Sequence, residues 1–208
     1  MEIVFFVYEF PPFMVGGLGT YAEYMTRELM KMGHYVTVFS MHSKDAPTRG
    51  VYKGVEVHRP IVQNINADLV LPMFIPEEVR RWPESGRKFF GDIFLYNVLS
   101  ASKLVNDLVR TEKRKIDLLV SHDWLGSVGG ILSSKGLAKP LAFHVHSTEQ
   151  GRAANGSETV KRLERIAADY AGAVVTVSYA MRDHLVSLGY DEKKIRVVYN
   201  GIDTEKFS

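Results

Sequence analysis

Short apolar runs alternate with segments of helical spacing from one end of the chain to the other, and few folds accommodate that order. Ile3–Tyr8 is short, β-branched and aromatic, and Pro11-Pro12 ends it, which predicts a buried strand. Gly16-Gly17-Leu18-Gly19 then opens a predicted helix running to about Lys31, with Leu18, Tyr21, Ala22, Met25 and Leu29 at helical spacing and Gly33 as its stop. Tyr35–Ser40 reads as a second strand, and Val51–His58, turning at Gly54, as a hairpin or edge excursion. Residues 60–85, with Pro60, Pro72, Pro76 and Pro83, are the least regular stretch.

From about Gly86 to Lys113 the spacing predicts one long amphipathic helix, with Phe90, Ile93, Phe94, Asn97, Ala101, Leu104, Val105 and Leu108 on its packed face. Strands follow at Asp117–Ser121, Pro140–Val145, Ala173–Val177 and Ile195–Val198, with helices from about Leu125, over Ser157–Ala171 and over Tyr179–Ser187 between them. Strands separated by helices require crossover connections. These build a parallel sheet covered on both faces, so the fold class is α/β.

The 208 residues suffice for one large domain with a sizeable core. Twenty-six basic and 24 acidic side chains leave a net charge of +2, which gives no electrostatic reason to expect nucleic acid or an anionic membrane as partner. The chain has no cysteine, so disulfide and thiolate chemistry are excluded. The first apolar run is too short for a signal-peptide core, and a cytoplasmic location is the default expectation.

In a parallel sheet the loops after the strands gather along one edge, where ligands bind. Here those loops carry the chemistry-bearing residues: Glu9 to Gly19, His122-Asp123-Trp124, and His144 to Gly151. The glycines let backbone approach a ligand, and the helix start offers free N–H groups to an anion; a tight ligand-free turn would use the same residues. Gly17-x-Gly19-x-x-Ala22 also fits a dinucleotide fingerprint, but Phe39, Ser40 and Met41 stand where a ribose-binding acid belongs.

Asp123 beside Trp124 suits a sugar, one offering hydrogen bonds and the other an apolar platform, although a helix N-cap would also explain the aspartate. His144 and His146 alternate along their strand and so share a face. They could chelate a metal with His122 or Asp123, donate to a hydroxyl, or pack in the core. With no cysteine and no clear third ligand, no metal is expected.

Tyr8-Glu9-Phe10-Pro11-Pro12-Phe13-Met14-Val15-Gly16-Gly17-Leu18 resembles the first loop of the glycogen and starch synthases. His122-Asp123-Trp124 resembles their second signature, and Val145-His146-Ser147 before Gln150-Gly151 their third. Val177-Ser178-Tyr179-Ala180 and Val198-Tyr199-Asn200-Gly201-Ile202-Asp203, with Phe207, resemble the closing strands of the N-terminal domain. The ordered set spans the whole chain and resembles the N-terminal half of a retaining GT-B glycosyltransferase, of the archaeal-like glycogen synthase kind.

That resemblance implies a single Rossmann-like acceptor-side domain over residues 1–208, with the donor-binding C-terminal domain of the same enzyme as its partner outside these residues. It implies transfer of glucose from ADP-glucose or UDP-glucose to the non-reducing end of an α-1,4-glucan, with retention and without metal or other cofactor. His146 would contact the transferred glucose and Asp123 its hydroxyls; Gly16 and Gly17 would approach the donor, and Glu9 and Trp124 would orient the acceptor. The half alone is expected to transfer little or no glucose. The family lysine two places before the glycine pair is Met14 here, which keeps trehalose, sucrose and lipid-sugar transferases in view. A dinucleotide-binding oxidoreductase domain, from the glycine fingerprint, and a non-catalytic carbohydrate-binding module, from Trp124, are the alternatives of other classes.

Overall fold

The structure is a computed structural model that describes residues 1–43, 45–62, 76–153 and 155–202. Pro72 of the irregular stretch and Asp203 and Phe207 of the closing motif lie outside the described residues. The eight strands are β1 (Glu2–Phe6), β2 (Tyr35–Phe39), β3 (Arg49–Tyr52), β4 (Val55–His58), β5 (Leu118–His122), β6 (Leu141–Val145), β7 (Ala173–Thr176) and β8 (Ile195–Val197). They form one sheet in the order β3-β4-β2-β1-β5-β6-β7-β8, and every pairing is parallel except the β3–β4 hairpin.

The helices are α1 (Gly17–Lys31), α2 (Glu77–Arg80), α3 (Glu84–Ser102), α4 (Asp123–Leu137), α5 (Glu149–Arg152), α6 (Glu158–Tyr170) and α7 (Tyr179–Ser187). Alternation within the strands divides the core between the two faces of the sheet. Ile3, Phe5, Val7, Val36, Val38 and Val57 pack with Ala22 and Leu18 of α1. Val4, Phe6, Phe39, Leu119, Phe143 and Val174 pack with Tyr96 and with Ala167 and Ala168 of α6. The fold is therefore the expected Rossmann-like sheet with helices on both faces.

The predicted long helix starts earlier than expected, at Glu84 directly after Pro83, and beyond Ser102 it continues to Thr111 in the wider π winding. Its buried face differs from the expected one at one aromatic. Phe90, Ile93, Asn97, Ala101, Leu104 and Leu108 are buried, but Phe94 is 43% exposed. The helix is rotated so that Tyr96 enters the core, where its hydroxyl donates to the Phe39 carbonyl at 2.7 Å. Satisfying a buried hydroxyl outweighs covering one more ring edge.

Helix α4 positions the second loop, and glycines let it lie close to the sheet. A Cβ on Gly126 would stand 2.3 Å from the Phe6 carbonyl oxygen of β1, and one on Gly130 would stand 2.9 Å from Ser121 Cβ of β5. Asn97 locks the helix from above, donating to the Leu125 carbonyl at 2.8 Å and accepting from the Gly129 N–H at 2.6 Å. The start of α4, at Asp123, is thereby fixed against the ends of β1 and β5.

Candidate functional site

The chain runs from β1 outward through β2 to the β3–β4 hairpin, then returns to β5 on the other side of β1. The strand order reverses between β1 and β5, and the crevice beyond their carboxyl ends is where an open α/β sheet binds ligands. The β1–α1 and β5–α4 loops, the first two regions singled out in the sequence, flank this point.

The first loop is organised around one carboxylate. Glu9 is 7% exposed, and its side chain accepts from the backbone N–H of Val15, from Gly16 at 3.0 Å and from Gly19 at 2.9 Å. An anion at the start of α1 suits the helix dipole, and here the chain supplies that anion itself. On the far side of the loop, Arg59 is 3% exposed and donates to the Pro11 carbonyl at 2.6 Å. Burial lowers its pKa. Gly17 is left open, with nothing within 4 Å of where its Cβ would stand.

The second and third loops are joined by Asp123. Its backbone is left-handed, at φ 49°, a conformation that aspartate tolerates better than most residues. The side chain leaves its own helix uncapped and reaches the next loop, accepting from the His146 N–H at 2.8 Å and the Ser147 N–H at 3.4 Å. The helix-cap explanation of Asp123 is therefore replaced by a tie between loops.

His122 and His144 are register partners on β5 and β6, and both stand on the sheet face that α1 covers. His146 follows them, its ring 4.3 Å from that of His144 and nearly parallel to it. Tyr21 of α1 lies edge-on to the His146 ring at 4.5 Å and the His144 ring at 4.8 Å. His122 Nδ1 meets His146 Nε2 at 3.0 Å, and His144 Nδ1 meets the Tyr21 hydroxyl at 3.3 Å. A helix that begins at the glycine loop thus touches the third loop directly.

All three imidazoles are held neutral. Burial lowers His122 well below its ordinary value, His144 to about 3 and His146 to about 4. Among the described residues the three also form a donor set that could hold a metal, with one ligand atom from each lying within 4.8 Å of the others.

Burial also pushes the Asp123 carboxyl up to about 6, against the downward pull of the His146 and Ser147 N–H groups. A carboxyl raised on folding costs nothing below the ordinary carboxylate range and its full penalty above pH 6, so its contribution falls as pH rises. At about 1.4 kcal/mol per unit, the penalty at pH 7 is about 3 kcal/mol. Asp123→Asn keeps a carbonyl for the two N–H groups and removes the charge. Urea unfolding at pH 4 and pH 7 should show the variant gaining about 2–3 kcal/mol on the parent between them. A difference independent of pH would mean that the carboxyl is not desolvated.

Of the residues expected at the site, Gly16, Gly17, Asp123 and His146 are gathered around the crevice. Glu9 and Trp124, expected to orient an acceptor, have side chains committed to the protein itself. Trp124 is 7% exposed and stacked on Phe90 at 6.0 Å between centroids. Two side chains that pack against these loops, Tyr21 and Arg59, carry no signal of that contact in the sequence. Tyr21 sits at core spacing on its helix, and only the fold shows that its edge reaches the histidines; Arg59 is a lone cation after an edge-hairpin strand, with no sequence signal of its own.

A family model described as Glycosyltransferase Family 4 matches residues 15–206. An uncharacterised glycosyltransferase of Methanocaldococcus jannaschii is 26% identical over 212 residues, covering 100% of this chain and 48% of its own length. The glycogen synthase of Mycobacterium tuberculosis is 25% identical over 223 residues, covering 100% of this chain and 50% of its own. The chain thus spans about half the length of the curated relatives it matches. Among solved structures, the sucrose-phosphate synthase of Thermosynechococcus elongatus superposes with a TM-score of 0.70 at 16% identity, over 98% of this chain and 49% of that one. At that identity the likeness speaks for the fold.

Proposed function

Since this chain belongs to Glycosyltransferase Family 4, we propose that it is the acceptor-side half of a retaining glycosyltransferase of the glycogen synthase kind. The reaction passes glucose from ADP-glucose or UDP-glucose to the non-reducing end of an α-1,4-glucan, with no metal, and the donor's nucleotide is held by a second, C-terminal domain. The observation that carries the reading is the convergence of three loops on the switch point: Asp123 grips the backbone of His146, and Tyr21 from the glycine-loop helix packs on the same histidine.

Each group has a defined task in this reading. The open Gly17 position lets the donor approach the backbone at the start of α1, beside the N–H groups that Glu9 already occupies. His146, neutral and only partly covered, meets an oxygen of the transferred glucose. Asp123 sets the height of the third loop over the crevice and stands beside the sugar. A second reading, a related transferase with another sugar acceptor, is favoured by Met14, which takes the place of the lysine that would meet the donor's charge.

The test is transfer by the enzyme that contains this chain, with either nucleotide sugar and a malto-oligosaccharide, in the presence of a chelator. Release of nucleoside diphosphate with growth of the glucan is the expected result. Release only with a different sugar acceptor selects the second reading, and no release with any nucleotide sugar overturns both.

A further inference from the structure

The histidine cluster contains two polar atoms that nothing among the described residues satisfies. His122 and His144 are buried, at 0% and 4% exposure, and the Nε2 of each is enclosed without a hydrogen-bond partner. Their other ring nitrogens are used: His122 Nδ1 faces His146 Nε2 at 3.0 Å, and His144 Nδ1 faces the Tyr21 hydroxyl at 3.3 Å. A neutral imidazole has one N–H and one bare nitrogen, so each pair can be polarised in only two ways.

If His146 donated to His122, the His122 proton would sit on Nε2, as an N–H sealed away from any acceptor. Orphaned buried donors are rarer than under-used acceptors in folded proteins. The cheaper arrangement has the proton on His122 Nδ1, donating to His146 Nε2. The His146 proton then resides on Nδ1, which has no partner among the described residues and is not among the enclosed atoms. The same reasoning puts the His144 proton on Nδ1, donating to the Tyr21 oxygen and leaving the Tyr21 O–H to point elsewhere. Tyr21 is partly exposed, and its hydroxyl is held protonated by burial.

We infer that His122 and His144 are positioning residues that set His146 Nδ1 and the Tyr21 hydroxyl as two neutral hydrogen-bond donors on adjoining rings, 4.5 Å apart between centroids, and that Tyr21 is a further ligand-binding residue of the site. The ligand chemistry this selects is a lone-pair oxygen of a neutral sugar, a hydroxyl or ring oxygen, since no cation belongs to the pair. The inference rests on the reading of the crevice as a sugar site, and its polarity part can be measured without that reading.

The 208-residue chain, labelled with nitrogen-15 at histidine, reports the proton position through the shifts of the two ring nitrogens. The expected spectrum at pH 7 shows His122, His144 and His146 each protonated at Nδ1. In His122→Phe, which fills the same place beside Phe5, His146 should move toward the Nε2–H form. An Nε2-protonated His146 in the parent chain overturns the inference, whether or not the variant folds. In the full-length enzyme, Tyr21→Phe removes only the hydroxyl and should raise KM for the nucleotide sugar or lower kcat/KM about tenfold, as the loss of one donor. Unchanged kinetics with measurable transfer remove Tyr21 from the ligand. The expected tautomers in an enzyme that transfers no sugar support the polarity and overturn the sugar reading instead.

Discussion

Replacing His146 with alanine in the full-length enzyme should lower glycosyl transfer by about two to three orders of magnitude, the scale seen when a preorganised donor to a reacting centre is lost. The effect on folding should be small for a stated reason. The tie between the second and third loops runs through the backbone N–H of His146, donated to Asp123 at 2.8 Å, and alanine retains that N–H. What folding loses is the ring contact with Tyr21 and the partner of His122 Nδ1, worth about 1–2 kcal/mol together, or a few degrees of melting temperature. Initial rates and a thermal melt on the same preparation separate the two effects. Transfer within about threefold of the parent would place His146 away from the reacting centre.

Glu9→Ala should have the opposite profile, losing stability and activity together. The substitution strips the acceptor from three backbone N–H groups, Val15, Gly16 and Gly19, in a loop that is exposed at Val15 and Gly16 and buried at Gly19. Hydrogen bonds to a charged partner are worth about 1.5–3 kcal/mol each, and the loop can recover some of them by opening to solvent, so a net loss of about 3 kcal/mol is expected. Urea unfolding measures it. Hydrogen exchange at the Val15, Gly16 and Gly19 amides locates it, with protection lost there and kept in β1. Glu9→Gln should fall between, because the amide presents one oxygen to the loop and turns its NH2 toward donors. Undiminished protection of those amides in Glu9→Ala would show that the carboxylate does not organise the loop.

Much of the architecture was legible because strand and helix periods are read directly from apolar spacing. Tyr179–Ser187 was predicted and found with the same bounds, and the hairpin around Gly54 is β3–β4. Phe94 was misplaced because helical spacing defines a stripe but not its rotation, which Tyr96 and its hydrogen bond set. At the site, sequence identified the loops more surely than the tasks of their side chains. Glutamate before two glycines gives no sign that its carboxylate will turn back to the N–H groups six to ten residues ahead. Trp124 follows the aspartate in the chain, yet the turn into α4 carries its ring to the helix layer, against Phe90. Register between distant strands, which sets His122 beside His144, is a property of the folded sheet alone.

Gly126 governs how such a crevice can move. With the axis of α4 pressed onto the Phe6 carbonyl, no gap remains into which the helix could slide, and Asn97 braces it from the opposite side. The strand, the helix and Asp123 therefore translate as one rigid plate. The third loop is fastened to that plate by the two N–H groups on Asp123, and onward to the helix layer by the Glu149 N–H on Glu164 and by Thr148 on His184, so a substrate meets a rim that is already set.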